Sequence, residues 1–259
     1  MNIHSTSIVS NKAVIDKDVI IGPYCTIGDN VTIKSKTKLI SHVNITGNTY
    51  VDSDNIFHPF TSIGSVPQDL KYDNEDSFLK IGKNNTFREH VTVNIGTKGG
   101  GMNTSIGNNC LFMVGSHIAH DCIISDNVIL ANNATLAGHV NIGNNSIIGG
   151  LSAIHQFVRI GKYAMIGGMS GVEQDIIPYG LYTGIRSNLR GLNLIGLKRK
   201  GIAKEKLLIL KKSFEFIFNK KNSLVENTKE IKKQKNNINE VNDMINFILD
   251  HSSRGICNI

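Results

Sequence analysis

From residue 106 to residue 177 the chain keeps a period of six without a slip. The blocks open on Ile106, Phe112, Ile118, Ile124, Leu130, Leu136, Ile142, Ile148, Ile154, Ile160, Ile166 and Val172. The fifth place is nearly always small, as at Cys110, Ser116, Cys122, Ala134, Ser146, Ser152, Ala164 and Ser170. Such a period fits neither the roughly 3.6-residue turn of a helix nor the alternation of a simple amphipathic strand; it is the repeat length of a parallel β-helix. Residues two apart on a strand share a face, so the fifth place and the next opener both point inward. The second to fourth places make the bend, where Gly, Asn and Asp tolerate unusual backbone angles.

The same sixes begin at Ile3 and run through Val9, Ile15, Ile21, Ile27, Ile33, Leu39, Ile45, Val51, Phe57 and Ile63. That leaves no room for a separate N-terminal domain. Pro23 and Pro59 fall at bends, where a missing N–H is tolerated. Between Gln68 and Lys80 the pattern is lost in the polar run QDLKYDNEDS, which reads as a loop thrown out of the coil. The register returns at Ile81, Phe87 and Val93. A second interruption at 97–105, TKGGGMNTS, is glycine-rich and reads as mobile. Long loops on a rigid scaffold more often carry function than not.

The repeat stops at Pro178, and 179–190, with Gly180, Gly184 and Arg186, reads as a linker. Helical spacing follows: Leu207, Leu210, Phe214, Ile217 and Phe218 share one face. Ser223 with Glu226 forms a capping box, and Ile238, Val241, Ile245, Ile248 and Leu249 form a last stripe. The chain divides into a solenoid over 1–185, with loops near 68–80 and 97–105, and a helical domain over 186–259.

Charge follows the same division. Residues 1–185 hold 12 basic and 14 acidic side chains; residues 186–259 hold 16 and 7. A basic tail invites an acidic partner or is simply a solvated lysine-rich face. Three of the four cysteines, Cys25, Cys110 and Cys122, occupy the small inward place and read as core filler. No CxxC pair is present, so neither a disulfide framework nor a zinc ribbon is indicated, and a reducing cytosol fits. There is no leader pattern and no apolar run of membrane-spanning length.

Chemistry concentrates in HIAHDC at 117–122, followed by His139 and His155. The repeat resembles that of hexapeptide-repeat proteins, whose rungs close with three bends; that resemblance implies that residue n stacks on n + 18, roughly one strand spacing away. His120 then stacks on Gly138, and Gly138 on Gln156; Asp121 stacks on His139, and His139 on Phe157. Three readings compete: a set of surface histidines in turns, a zinc site using His117 and His120, or a general base. Imidazole titrates near neutrality. A neighbouring carboxylate can orient it, and a bare glycine one rung away can offer its N–H to an oxyanion.

The runs HIAHDC, ILANNATLAGHV at 129–140, IIGG at 147–150 and IHQF at 154–157 resemble the acyl-carrier-protein–UDP-N-acetylglucosamine acyltransferases, which take the first step of lipid A synthesis. The likeness extends to VPQDLKY at 66–72, REHVTVN at 88–94, SGVEQDIIPYG at 170–180, LNLIGLKRKG at 192–201 and SRG at 253–255, so it covers the whole chain. The resemblance implies a left-handed parallel β-helix of hexapeptide repeats with a small C-terminal α-helical domain. It also implies a cytoplasmic homotrimer with active sites in clefts between subunits, no cofactor and no metal. By resemblance, His120 is the base that deprotonates the sugar's 3-position, Asp121 the acid beside it, and Gly138 the amide facing the thioester oxygen. His117, His139 and His155 position substrate or shape the pocket. Gln68, Asp69, Lys71, Gln156, Asn193 and Arg199 belong to the UDP-sugar site; arginine suits phosphate because its planar fork binds two oxygens. Gly168 matches the acyl-chain ruler, and its lack of a side chain favours a 3-hydroxyacyl group of about fourteen carbons.

Two positions depart from the family's usual pattern: Asn94 stands where many relatives have histidine, and Ile195 where many have glutamate. They leave open whether the acceptor is a 3-hydroxyl or a 3-amino sugar. The acidic carrier protein gives the basic tail a partner, with Lys198, Arg199, Lys200, Lys204, Lys206, Lys211 and Lys212 steering its approach in a salt-sensitive way. The rival readings are the N-acyltransferase acting later in the same pathway, a hexapeptide-fold zinc carbonic anhydrase, and a non-catalytic solenoid that binds a surface.

Overall fold

The computed structural model describes residues 2–185, 188–234 and 238–257. Successive short strands join three different sheets in turn, starting with Asn2–Ile3, Ile8–Val9 and Val14–Ile15. Each strand pairs in parallel with the one a full rung later: Leu111 lies opposite Ile129, and Ile129 opposite Ile147, the 18-residue step expected from three hexads. The three sheets wind into a left-handed parallel β-helix of triangular section.

The inward places fill the prism. Ile118, Cys122, Val128, Leu130, Ala134 and Leu136 are fully buried. Phe57, Phe87 and Phe112, openers on three successive rungs, stack with ring centroids 4.7 and 4.8 Å apart. The corners turn because the fourth place takes a left-handed backbone, with φ of +57° at Asn109, +58° at Asn127 and Asn133, and +62° at Asn145. Asparagine tolerates that region better than most L-residues.

Both interruptions leave the coil at one corner, between the second and third sheets. Thr86 lies opposite Ile56 and opposite Leu111, steps of 30 and 25 residues, so the loops insert 12 and 7 residues into the 18-residue rung. The first loop is shorter than the sequence indicated, because the strand Phe78–Ile81 has already resumed. The second is not a free glycine-rich excursion. Lys98–Gly100 forms a 3-10 turn, and the strand Asn103–Ile106 resumes soon after.

The segment read as a linker is instead a hairpin. Gly180–Thr183 pairs in parallel with Met165–Ile166 and antiparallel with Asn188–Leu192. The reason is apolar: Tyr179, Tyr182, Leu189 and Leu192 are buried over the end of the coil. Arg186 lies outside the described residues. Among the described residues four helices follow: α1 (Leu194–Arg199), α2 (Lys204–Ile217), α3 (Leu224–Lys233) and α4 (Asn239–Leu249). The expected stripes are buried at Leu207, Leu210, Phe214, Ile217, Val241, Ile245 and Ile248, and Ser223 and Glu226 make the capping box of α3. Arg159 ties the helices to the coil: its Nε donates to Asp175 Oδ2 at 2.7 Å and its Nη1 to Asp250 Oδ2 at 2.8 Å. No helix is long and apolar enough to cross a membrane among the described residues.

Candidate active site

The strand His117–Ile118 ends in the second sheet and Ile123–Ile124 begins in the third. The corner between them carries His120 at the third place and Asp121 at the fourth, with φ +59°. His120 Nδ1 lies 2.7 Å from Asp121 Oδ2. The Asp121 side chain is fully buried. Its Oδ1 accepts the Thr97 N–H at 2.9 Å, and its Oδ2 also accepts the Thr97 hydroxyl at 2.5 Å. Burial pushes this carboxyl up, but hydrogen bonds from His120 and Thr97 outweigh it, and the net shift is downward. An ionised carboxylate only accepts, so in the neutral imidazole the proton sits on His120 Nδ1 and the lone pair on Nε2.

Gly138 occupies the next rung, where the 18-residue step puts it. A Cβ there would meet His120 Cε1 at 2.5 Å and Nε2 at 2.6 Å, so glycine is what lets the imidazole lie against the backbone. The Gly138 carbonyl accepts the Phe157 N–H at 3.1 Å, while the Gly138 N–H has no partner among the described residues. A base and a free amide therefore sit on adjacent rungs of one corner.

His139 stacks face to face on Phe157 at 4.3 Å and edge-on to His120 at 5.0 Å. Burial lowers its pKa against the opposing pull of Asp121. Asp69, on the first loop, is close enough to His139 to pull the same way as Asp121, so both loops reach this corner. His117 Nδ1 bonds Thr92 Oγ1 at 2.7 Å, and burial, then His120, lower its pKa. Gln68 and Lys71 are exposed on the first loop. Asn94 is buried at the loop's root, where its Nδ2 donates to the Val66 carbonyl at 3.0 Å; its Oδ1 has no partner among the described residues. One rung above Gly138, His155 and Gln156 are exposed, and Arg254 donates to the Gln156 carbonyl at 2.8 Å and contacts His155 Nδ1.

Three residues do not join this corner. Asn193 caps α1, accepting the Gly196 N–H at 3.1 Å, and donates to the Tyr163 carbonyl at 3.2 Å, on the corner between the third and first sheets. Arg199 is exposed at the end of the same helix, next to Lys200, whose Nζ reaches Asn145 Oδ1 at 3.2 Å. Gly168 is exposed on the remaining corner, 3.2 Å from the Gly150 carbonyl measured from a Cβ built on it. One chain thus spreads the candidate residues over all three corners.

Sequence reasoning missed Thr97, Thr104 and Arg254 as site residues. The two threonines flank the glycine-rich loop, and only the way that loop folds back gives them Asp121. Arg254 meets its partners across 98 and 99 residues of sequence. Of the two histidines in the zinc reading, His117 bonds Thr92 through Nδ1 and lies outside the group of potential ligand atoms that includes His120. Among the described residues, His120, Asp121 and His139 do bring three potential ligand atoms within 4.8 Å. Both Asp121 oxygens already accept protein donors, which suits an orienting pair better than a metal shell.

Residues 103–138 match the bacterial transferase hexapeptide repeat family, and residues 175–257 match the second domain of the UDP-N-acetylglucosamine O-acyltransferases. The chain is 50% identical over 255 residues to the acyl-[acyl-carrier-protein]–UDP-N-acetylglucosamine O-acyltransferase of Thermodesulfovibrio yellowstonii, covering 98% of both chains. It is 49% identical to that of Rickettsia peacockii, covering 99% of this chain and 97% of the relative. Among solved structures, LpxA from Acinetobacter baumannii superposes with a TM-score of 0.95 at 43% identity over 99% of each chain. These full-length likenesses and the corner geometry agree: the chain belongs to the acyl-[acyl-carrier-protein]–UDP-N-acetylglucosamine O-acyltransferase family.

Proposed function

We infer that the protein transfers a 3-hydroxyacyl group from acyl carrier protein to the 3-position of UDP-N-acetylglucosamine, the first step of lipid A biosynthesis. The observation that carries this reading is the His120–Asp121 pair, with the imidazole's basic nitrogen beside Gly138 in a chain of this family. His120 Nε2 takes the proton of the sugar group as that group attacks the thioester carbonyl. The carbonyl oxygen, now negative, is supported by the Gly138 N–H. The C–S bond breaks, and the carrier's thiol leaves with the proton returned by the imidazolium. No enzyme nucleophile is required: burial pushes the Cys110 thiol up to about 11 and the Cys122 thiol up to about 12.

The spread over three corners supports a homotrimer in which a second copy brings Asn193, Arg199 and Gly168 towards the His120 corner; a cytoplasmic location follows only from the family resemblance. On this reading Gln68, Asp69, Lys71, Asn94, His117, His139, His155 and Gln156 line the nucleotide-sugar side. Asn94 and Ile195, the two departures from the family's usual pattern, leave the acceptor open between a 3-hydroxyl and a 3-amino sugar, and the assay below decides it. The solenoid domain (1–185) supplies the base and the helical domain (186–259) the phosphate contacts.

The test is an acyl-transfer assay with acyl carrier proteins of different chain length and with UDP-N-acetylglucosamine and its 3-amino analogue. His120→Ala should lower kcat/KM by roughly 10²–10⁴-fold. Activity within a few-fold of wild type would remove the assigned base.

A further inference from the structure

We infer that Thr97 is a positioning residue: the second inserted loop is a strap that holds the Asp121 carboxylate on His120. The inference rests on His120 being the general base. Thr97 uses both of its donors on Asp121, the N–H on Oδ1 and the hydroxyl on Oδ2. Oδ2 is also the oxygen that accepts from His120, so the carboxylate plane is fixed relative to the imidazole. The rest of the loop closes on the same point. The Thr97 carbonyl accepts from Gly100 at 3.1 Å and Met102 at 2.9 Å. A Cβ on Gly100 would lie 2.0 Å from Asp121 Cγ, so only glycine permits this approach. Beyond the turn, Thr104 Oγ1 accepts the Asp121 backbone N–H at 2.8 Å.

The strap matters because the carboxylate has a second suitor. His139 Nδ1 stands 3.9 Å from the same Oδ2. Without Thr97, Asp121 is free to turn towards His139 and leave His120 in the wrong orientation or tautomer. With the Thr97 hydroxyl gone and the carboxylate still on His120, its negative charge is less shared. It then holds an imidazolium more firmly, and the base becomes active only at higher pH. The other titratable groups facing this pair are His139 from the next rung, His117 from the preceding strand and Asp69 from the first loop. They are unchanged in every variant below.

The experiment measures kcat/KM against pH, with thermal unfolding alongside, for wild type, Thr97→Val, Thr97→Ser, Gly100→Ala and His120→Ala. Thr97→Val keeps the shape and the N–H but loses the hydroxyl; it should lose roughly tenfold to hundredfold in kcat/KM. Its acid limb should move up by about half a unit. Thr97→Ser keeps both donors and should stay within about threefold of wild type with an unmoved limb. Gly100→Ala pushes the strap away with Thr97 intact and should move the limb as Thr97→Val does; it decides the matter if Thr97→Val does not fold. An unmoved limb in both Thr97→Val and Gly100→Ala, or a Thr97→Ser loss as large as that of Thr97→Val, overturns the inference. If His120→Ala is inactive while those outcomes hold, only the strap falls. If His120→Ala is active, the base reading falls and the strap with it.

Discussion

At the scale of single residues, the site works by denying Asp121 any freedom. A buried carboxylate held by three hydrogen bonds, two from Thr97 and one from His120, cannot reorient without leaving a donor unpaired, which costs about 1–3 kcal/mol. The same burial acts on the histidines in the opposite sense. His117 and His139 both titrate below the ordinary 6.5, chiefly because they are buried. The unfolded chain therefore binds more protons than the folded one in the window just below 6.5. Their contribution to stability is complete above that value and is lost as pH falls through the depressed values. Thermal unfolding followed from neutrality into mild acid should show a falling Tm, and His117→Gln should flatten the fall. A His117→Gln curve parallel to wild type would contradict the assignment.

At the scale of elements, the corner is the functional unit, and the strands exist to stack corners in register. Two-residue strands bury little each, so the rigidity comes from continuous columns of inward side chains. Phe57, Phe87 and Phe112 form one such column on the first sheet, across the prism from the corner at which both loops leave. Phe87→Ala should cost about 3–5 kcal/mol of unfolding free energy by denaturant titration, because a rigid coil cannot collapse around the void. A cost below about 1 kcal/mol would mean that the coil relaxes like a loosely packed domain. The positions of both loops were legible as breaks in the hexad. Their structure was not: a run such as TKGGGMNTS has no periodicity to report that Thr97 and Gly100 close on Asp121.

At the scale of the molecule, no single chain assembles the proposed site, since Arg199 and His120 lie on different corners. A trimer with shared sites makes a distinctive prediction. Purified His120→Ala and Arg199→Ala proteins, each inactive, should regain part of the wild-type activity when mixed under conditions that let subunits exchange. In a random mixture some clefts pair an intact His120 with an intact Arg199. No recovery despite demonstrated exchange would place both residues in one chain's own site. The helical tail is held to the coil by Arg159 and by the hairpin over the coil's end, so its basic face keeps a fixed place relative to the corners.

The period of six by itself determined the β-helix and its core; the 18-residue rung, and with it the stacking of His120 on Gly138, came from the sequence's resemblance to hexapeptide-repeat proteins, because a solenoid converts spacing in sequence into height only once the number of bends per rung is known. The same logic placed Asp121 beneath His139. The partners of Asp121, the hairpin at 180–192 and the clasp of Arg254 on His155 were decided only in three dimensions. Each depends on aperiodic segments folding back over distances that local pattern does not encode. Contacts made by hydrogen bonds across such distances are fixed by the whole packed chain, not by the order of its residues nearby.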